Sequence, residues 1–186
     1  MTVQHNPADA APAVLDFWFD EVGRERWFAK SDALDARIRA RFAALHGDVL
    51  ASRAKAWRDR PDHLLAAIIV LDQFSRNLHR GSAKAFVADP IALALTGLAL
   101  ERNWDSAMTP ERRQFVLLPL MHSERLADQQ RAMIEYAKLG DPEVLNFAKL
   151  HHDQIARFAR FPGRNAALGR RSTPEERAII DGGETF

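Results

Sequence analysis

Histidine, carboxylate and arginine side chains with spacings suited to chemistry fall in three segments of the chain. The first segment, residues 71–81, contains Asp72, Arg76 and Arg80. Asp72 lies on the apolar face of a helix, so its carboxylate points inward, and Arg76 follows one turn later, where it can neutralise that charge. The pair is either a structural ion pair at a helix end or an acid–base or anion-binding pair at the lip of a pocket. Asp72 is therefore a catalytic candidate, and Arg76 and Arg80 are ligand-binding candidates.

The second segment, residues 117–124, ends in a histidine and a carboxylate. Pro119 interrupts an apolar helix and predicts a bend, because proline has no N–H to donate. His122 continues the apolar stripe of that helix, and Glu124 lies just beyond it. His122 is either a satisfied core residue or, together with Glu124, part of an acid–base pair that works near neutral pH. Both residues are catalytic candidates.

The third segment, residues 151–171, combines an inward histidine with a dense run of arginines. His151 stands in line with the apolar residues of its helix and is the fourth catalytic candidate. The arginines form either a solvated face or a site for a phosphate or carboxylate, which the planar guanidinium binds with two hydrogen bonds. The ligand-binding candidates of this segment are Arg157, Arg160, Arg164 and Asn165.

Metal and nucleophile chemistry have little support in the sequence. The chain has no cysteine, which excludes disulfides, thiolate zinc sites and cysteine nucleophiles. His122, Glu124, His151 and His152 could supply metal ligands, but no two of these histidines have the i, i+4 spacing of a helical zinc site. No G-x-S-x-G motif marks a serine nucleophile. We therefore expect neither a metal nor a cofactor.

Composition limits the partners and the cellular location. Of 186 residues, 26 are basic and 25 acidic, and a net charge of +1 argues against a nucleic-acid partner. The longest apolar runs are far shorter than the roughly 20 residues that span a bilayer, so we expect no membrane partner. A chain without cysteine or a secretory signal fits the reducing cytoplasm.

The elements that must position these residues are helices. Three times a capping residue precedes proline and glutamate, at Thr109, Asp141 and Thr173, which is typical of helix starts. Apolar residues recur at intervals of three and four, and no segment alternates with period two. The predicted helices cover residues 12–19, 32–58 with a possible break near Gly47, 62–77, 90–103, 110–121, 124–139, 142–160 and 174–181.

Short connections between these helices favour antiparallel neighbours. The sequence thus predicts an all-α fold of seven or eight helices stacked as antiparallel pairs, without detectable sequence repeats. Residues 1–11 are predicted to be a disordered tail, and residues 12–186 a single all-helical domain. Trp18, Trp27, Trp57 and Trp104, with Phe17, Phe19 and Phe28, are predicted to lie in the core.

Four motifs together resemble a bacterial family, domain of unknown function 924, over about residues 12–186. They are VLDFWF (14–19), LDQFSRNLHRG (71–81), LLPLMHSE (117–124) and ARFPGRNAALGRRSTPEE (159–176). The resemblance implies a tetratricopeptide-like, all-helical fold and implies no substrate, cofactor or catalytic residue. The chain departs from the family pattern at Ala159, where glycine is more usual, and at Gly163, where histidine is often found. The second departure weakens any mechanism that needs a histidine at position 163.

Two functions remain open. The favoured one is a cytosolic, helical-repeat-like binding protein for a peptide or an anionic ligand, held in a concave face of stacked helices. The alternative is a small-molecule enzyme whose histidines, carboxylates and arginines meet in a pocket between helices. The distance between His122 and His151 tests the enzyme alternative. A shared pocket requires the two residues to lie within about two helix diameters of each other, where one diameter is roughly 10–12 Å.

Overall fold

The computed structural model describes residues 5–186, and every regular element in that range is helical. A π-helical segment, Asp16–Val22, continues α1 (Pro7–Leu15), and a second, Ile69–Phe74, joins α3 (Pro61–Ile68) to α4 (Ser75–Leu78). Because α3 and α4 therefore form one rod, the described chain contains eight helical rods, and the all-α prediction is confirmed. The α-helices are α1 (Pro7–Leu15), α2 (Asp32–Ala51), α3 (Pro61–Ile68), α4 (Ser75–Leu78), α5 (Asp89–Glu101), α6 (Pro110–Met121), α7 (Leu126–Ala137), α8 (Pro142–Phe158) and α9 (Pro174–Asp181).

The three capping motifs start helices as predicted. Thr109 accepts a hydrogen bond from the Arg112 N–H at the start of α6, and Asp141 caps α8. Thr173 forms a complete capping box with Glu176 at the start of α9. In each case the side-chain oxygen satisfies an N–H that has no partner within the helix.

The predicted N-terminal tail was too long. α1 begins at Pro7, because Asn6 accepts a hydrogen bond from the Ala8 N–H and a proline at the first helical position needs no N–H partner. The prediction of disorder is wrong for residues 7–11, and its first four residues lie outside the described range. α2 also runs unbroken through Gly47 to Ala51.

The described chain groups into two compact units. The first extends to Arg80 and resumes over Lys84–Met108, and the second comprises Gly81–Ala83 and Thr109–Phe186. The single domain predicted over residues 12–186 stays a prediction.

An aromatic cluster forms the core of the first unit. Ring centroids of Phe17 and Phe74 each lie 5.0 Å from that of Phe42, and Trp18 lies 5.6 Å from Phe74. Both π-helical segments contribute to this cluster, since one carries Phe17 and Trp18 and the other Phe74. Phe28, which was predicted to be buried, is 66% exposed instead.

The second unit is built on α6, α7 and α8, with α7 packed against both neighbours. Tyr136 on α7 donates to the Gln114 carbonyl of α6 at 2.9 Å. Gln129, also on α7, donates to the Met121 and Ser123 carbonyls, both at 2.6 Å. The two Gln129 bonds satisfy carbonyl groups at and just beyond the end of α6 and fix the turn that carries His122 and Glu124.

One described stretch, Ala83–Glu101, is long and apolar enough to cross a membrane by length and composition alone, with a mean hydropathy of 1.5. Its Ile91, Leu95 and Ala99 side chains are buried inside the protein, as in an ordinary core helix. The expectation of no membrane partner stays a prediction.

Candidate functional site

In the first unit, Asp72 and Arg76 form the predicted ion pair. Asp72 is fully buried, and the Arg76 Nη1 lies 3.3 Å from its Oδ1 and donates to its carbonyl at 2.6 Å. The guanidinium also donates two hydrogen bonds of 3.1 Å to Asp89, and Gln73 donates to the Asp72 carboxylate. Burial lowers the pKa of Arg76, but the charges of Asp72 and Asp89 outweigh it and raise that pKa. Arg76 thus already neutralises two carboxylates of its own chain.

Arg80, the other ligand-binding candidate of this unit, holds a carboxylate as well. Its Nε and Nη2 donate to the two Asp35 oxygens at 2.8 Å, and Asn77 donates to the same carboxylate. Burial raises the pKa of Asp35, yet the hydrogen bonds from Arg80 and Asn77 lower it further than burial raises it. An external anion would have to displace Asp35 to reach this arginine.

The sequence did not predict a buried histidine–serine contact in the first unit. The His46 Nε2 lies 2.7 Å from the Ser75 Oγ, which donates to the Leu71 carbonyl at 2.6 Å. A hydroxyl has one hydrogen, so His46 must be the donor in its bond to Ser75. A serine nucleophile requires the opposite direction. Burial lowers the pKa of His46 to about 4, and the pair therefore has the features of a neutral core hydrogen bond.

The second unit brings the two catalytic histidine candidates together. The ring centroids of His122, at the end of α6, and His151, on α8, lie 6.2 Å apart, well within the distance that a shared site requires. The His151 Nδ1 donates to the Phe147 carbonyl at 2.8 Å, which fixes the ring orientation. The Phe161 ring contacts His151 edge-on at 5.6 Å.

Glu124 follows His122 by two residues in the sequence, but its carboxylate is held by an arginine. Its oxygens accept hydrogen bonds from Arg170 at 2.7 and 2.9 Å, and from the Phe161 N–H at 2.8 Å. Burial raises the pKa of Glu124, but the bonds from Arg170 and Phe161 outweigh that effect and lower it. An ionised carboxylate fixed on both oxygens favours a structural role over that of a general acid.

The arginine-rich segment is also occupied by groups of the chain. Arg160 donates to the two oxygens of buried Glu176 at 2.6 and 2.8 Å, and Asn165 donates to the same carboxylate at 3.3 Å. Arg164 is buried, and its guanidinium lies 4.4 Å from the Phe161 ring centroid. Arg157 is exposed, and its guanidinium lies 4.7 Å from the Phe158 ring centroid. The segment is therefore neither a uniform pocket wall nor a uniformly exposed face.

A groove on α8 holds the last residues of the sequence. The Phe186 ring stacks on His151 with centroids 3.7 Å apart and an interplanar angle of 22°. One turn along α8, Gln154 donates to the Glu184 carbonyl. On the other side, a Cβ at Gly163 would lie 2.7 Å from the Phe186 carbonyl oxygen, so only glycine admits this approach without a shift. We call the surface formed by His151, Gln154 and Gly163 the α8 groove.

Comparison with known proteins identifies the family. A model described as "Bacterial protein of unknown function (DUF924)" matches residues 14–184. The chain belongs to this family. A solved structure, the protein of unknown function ATU0120 from Agrobacterium tumefaciens, is 37% identical, with a TM-score of 0.89 over 95% of this chain and 99% of that one. No curated protein matches the chain.

The DUF924 match includes every residue of the α8 groove, whereas Thr185 and Phe186 lie beyond its end. Within residues 5–186 no three histidine, aspartate or glutamate side chains are placed to hold a metal ion. Of the groove residues, sequence reasoning found His151 and noted Gly163 through the family resemblance. Gln154 gave no signal, because a glutamine on a helix is ordinary until its partner 30 residues later is known.

Proposed function

We propose that this DUF924 protein binds extended peptide segments that carry an aromatic side chain, and that the α8 groove is the binding site. The observation that carries the proposal is the Phe186 ring stacked 3.7 Å above the His151 imidazole. Residues Glu184–Phe186 thus act as an intramolecular occupant that a partner segment replaces.

The contacts in the groove are of kinds that peptide-binding sites use. An aromatic ring stacked on another contributes about 0.5–1.5 kcal/mol beyond its burial. The Gln154 side-chain NH2 donates a hydrogen bond to the Glu184 backbone carbonyl. The other side-chain atom, Oε1, is buried and accepts no hydrogen bond from the described residues. A bound segment could satisfy that atom with a backbone N–H, because the side-chain amide both donates and accepts. Gly163 lets the peptide backbone come close.

The same geometry favours binding over catalysis. Phe186 covers one face of the His151 ring, and Glu124 is fixed by Arg170. Carboxylates of the chain hold Arg76, Arg80 and Arg160, which supports a peptide rather than a free anion as the ligand. A location in the cytoplasm and the lack of a nucleic-acid partner stay predictions.

The test uses the full chain with Phe186→Ala, which weakens the internal occupant, and a fluorescein-labelled peptide of residues 181–186. Fluorescence anisotropy should show saturable binding to the variant. Binding to the wild-type chain should be at least tenfold weaker, since a tethered segment competes at an effective concentration in the millimolar range.

Two neighbouring histidines provide a matched pair of further variants. His151→Ala, added to Phe186→Ala, removes the stacking surface and should weaken peptide binding by about tenfold, as the loss of about 1.4 kcal/mol would do. His152→Ala, one residue away and paired with Asp153, should leave the affinity unchanged. If the Phe186→Ala chain, folded by circular dichroism, binds no peptide at millimolar concentration, the proposed function is wrong.

A further inference from the structure

Two apolar side chains stay exposed next to the α8 groove. Phe147 is 46% exposed and Leu150 is 43% exposed. Phe147 precedes His151 by four residues and Leu150 precedes Gln154 by four, so both lie on the face of α8 that carries the groove, and Phe147 extends that face one turn toward the helix start. Glu184–Phe186 covers His151 and Gln154 and leaves these two side chains accessible to solvent.

The occupant shows the direction in which a longer segment would continue. The Glu184 carbonyl is held at Gln154, and Phe186 lies on His151, three residues earlier in α8. From Glu184 to Phe186, the contacts of the segment with α8 thus pass from Gln154 to His151, against the direction of the helix. An extended chain advances about 6.6 Å in two residues, slightly more than the 5.4 Å of one helical turn. A residue two positions after the aromatic would thus reach Phe147 and Leu150.

We infer that the partner of the α8 groove is an extended segment with an aromatic residue followed two positions later by an aliphatic one. The aliphatic side chain covers Phe147 and Leu150, and this contact sets specificity beyond the stacking position. The inference rests on the proposed function, because it assigns a second subsite to the same groove. An aliphatic side chain suits this position, because the exposed surface of Phe147 and Leu150 is apolar and lies on the same helix face as the seat of Glu184–Phe186.

Three labelled peptides test the second subsite on the full chain with Phe186→Ala. The first is the peptide of residues 181–186, the second adds Ala-Leu, and the third adds Ala-Ser. Burying part of a leucine side chain should make the Ala-Leu peptide bind roughly five- to tenfold tighter than the Ala-Ser peptide. Adding Phe147→Ala and Leu150→Ala should abolish this difference while leaving the affinity for the shortest peptide unchanged. Lys149→Ala, an exposed neighbour on α8, is the control and should preserve the difference.

The outcomes separate the second subsite from the proposed function. Equal affinities for the Ala-Leu and Ala-Ser peptides, with the shortest peptide still binding, would overturn the second subsite and leave the peptide-binding function intact. A leucine preference that survives Phe147→Ala and Leu150→Ala would place the subsite elsewhere and overturn this assignment. Failure of all three peptides to bind would remove both.

Discussion

Replacing Glu176 by glutamine removes one negative charge from a buried cluster and leaves the side-chain shape almost unchanged. The carboxylate accepts two hydrogen bonds from Arg160, one from Asn165 and one from the Thr173 N–H of the capping box. Glutamine keeps one acceptor oxygen for the capping box but cannot neutralise Arg160. The variant therefore removes the ion pair that ties α9 to the loop after α8, and it places an amide NH2 against an Arg160 donor where the carboxylate had an acceptor.

The size of the effect follows from the pKa of Glu176, which is lowered from 4.5 to about 2, chiefly by the hydrogen bonds and charge of Arg160 and further by the bonds from the Thr173 N–H and Asn165. At about 1.36 kcal/mol for each pKa unit, this difference amounts to about 3 kcal/mol. Glu176 is only 2% exposed, but Arg160 is 29% exposed, and solvent screening lowers the expected loss to about 2–3 kcal/mol. Since the folded pKa lies below the unfolded one, this stability is complete above pH 4.5 and is lost as the pH falls toward 2.

Urea unfolding followed by helical circular dichroism at two pH values measures both predictions. At pH 7 the free energy of unfolding of Glu176→Gln should be about 2–3 kcal/mol below that of the wild type. At pH 3 this deficit should shrink to about half, because the stabilisation that the ionised Glu176 gives the wild-type protein decreases as the pH falls toward its folded-state pKa. Taking the difference between the two proteins cancels the acid response of other groups.

The neighbouring Glu175 provides the control, since it lies in the same first turn of α9 and is exposed. Glu175→Gln makes the same change of charge near the helix start, where a carboxylate contributes about 0.3–1 kcal/mol through the helix dipole. Equal losses for the two variants at pH 7 would show that the Arg160 pair adds nothing. A deficit for Glu176→Gln that stays constant down to pH 3 would show that its pKa is not lowered as described.

Three further changes test the fold by the same unfolding assay. Ala159 ends α8 with a left-handed φ of 58°, so Ala159→Gly should stabilise the protein by about 0.5–1 kcal/mol; a loss of stability would contradict the strain. Ser75→Ala should cost about 1–3 kcal/mol, because the His46 donor stays buried without an acceptor, and a neutral result would refute that hydrogen bond. Asp72→Ala should cost about 2–3 kcal/mol, since Arg76 would retain only one of its two carboxylate partners, Asp89. Unchanged stability would show that the Asp72–Arg76 pair is not structural.

The sequence was a good guide to the helices because their starts depend on neighbouring residues. Capping at Thr109, Asp141 and Thr173 needs a side chain and an N–H within three residues, and all three motifs start helices as predicted. The π-helical segments Asp16–Val22 and Ile69–Phe74 were not predicted. Their apolar spacing is close to that of an α-helix, so the spacing alone does not distinguish the two.

Side-chain function was harder to predict because it depends on distant partners. The sequence showed that Asp72 would point inward with Arg76 beside it, since both lie on one helix. It could not show that Asp35 would hold Arg80 from 45 residues away, or that Glu176 would hold Arg160. A dense run of arginines thus suggested an anion site, although two of its members, Arg160 and Arg170, bind carboxylates of the same chain.

Position 163 shows why the α8 groove could not be predicted from the sequence. The sequence interpretation treated the glycine there as a missing histidine and therefore as lost chemistry. In the structure its lack of a side chain is what admits the Phe186 backbone and the Thr185 side chain, and a Cβ would come within 2.7 Å of the Phe186 carbonyl oxygen. A larger side chain at this position would push that segment off His151 and change what the groove can hold. Gly163 is thus best understood as a determinant of which segment occupies the groove.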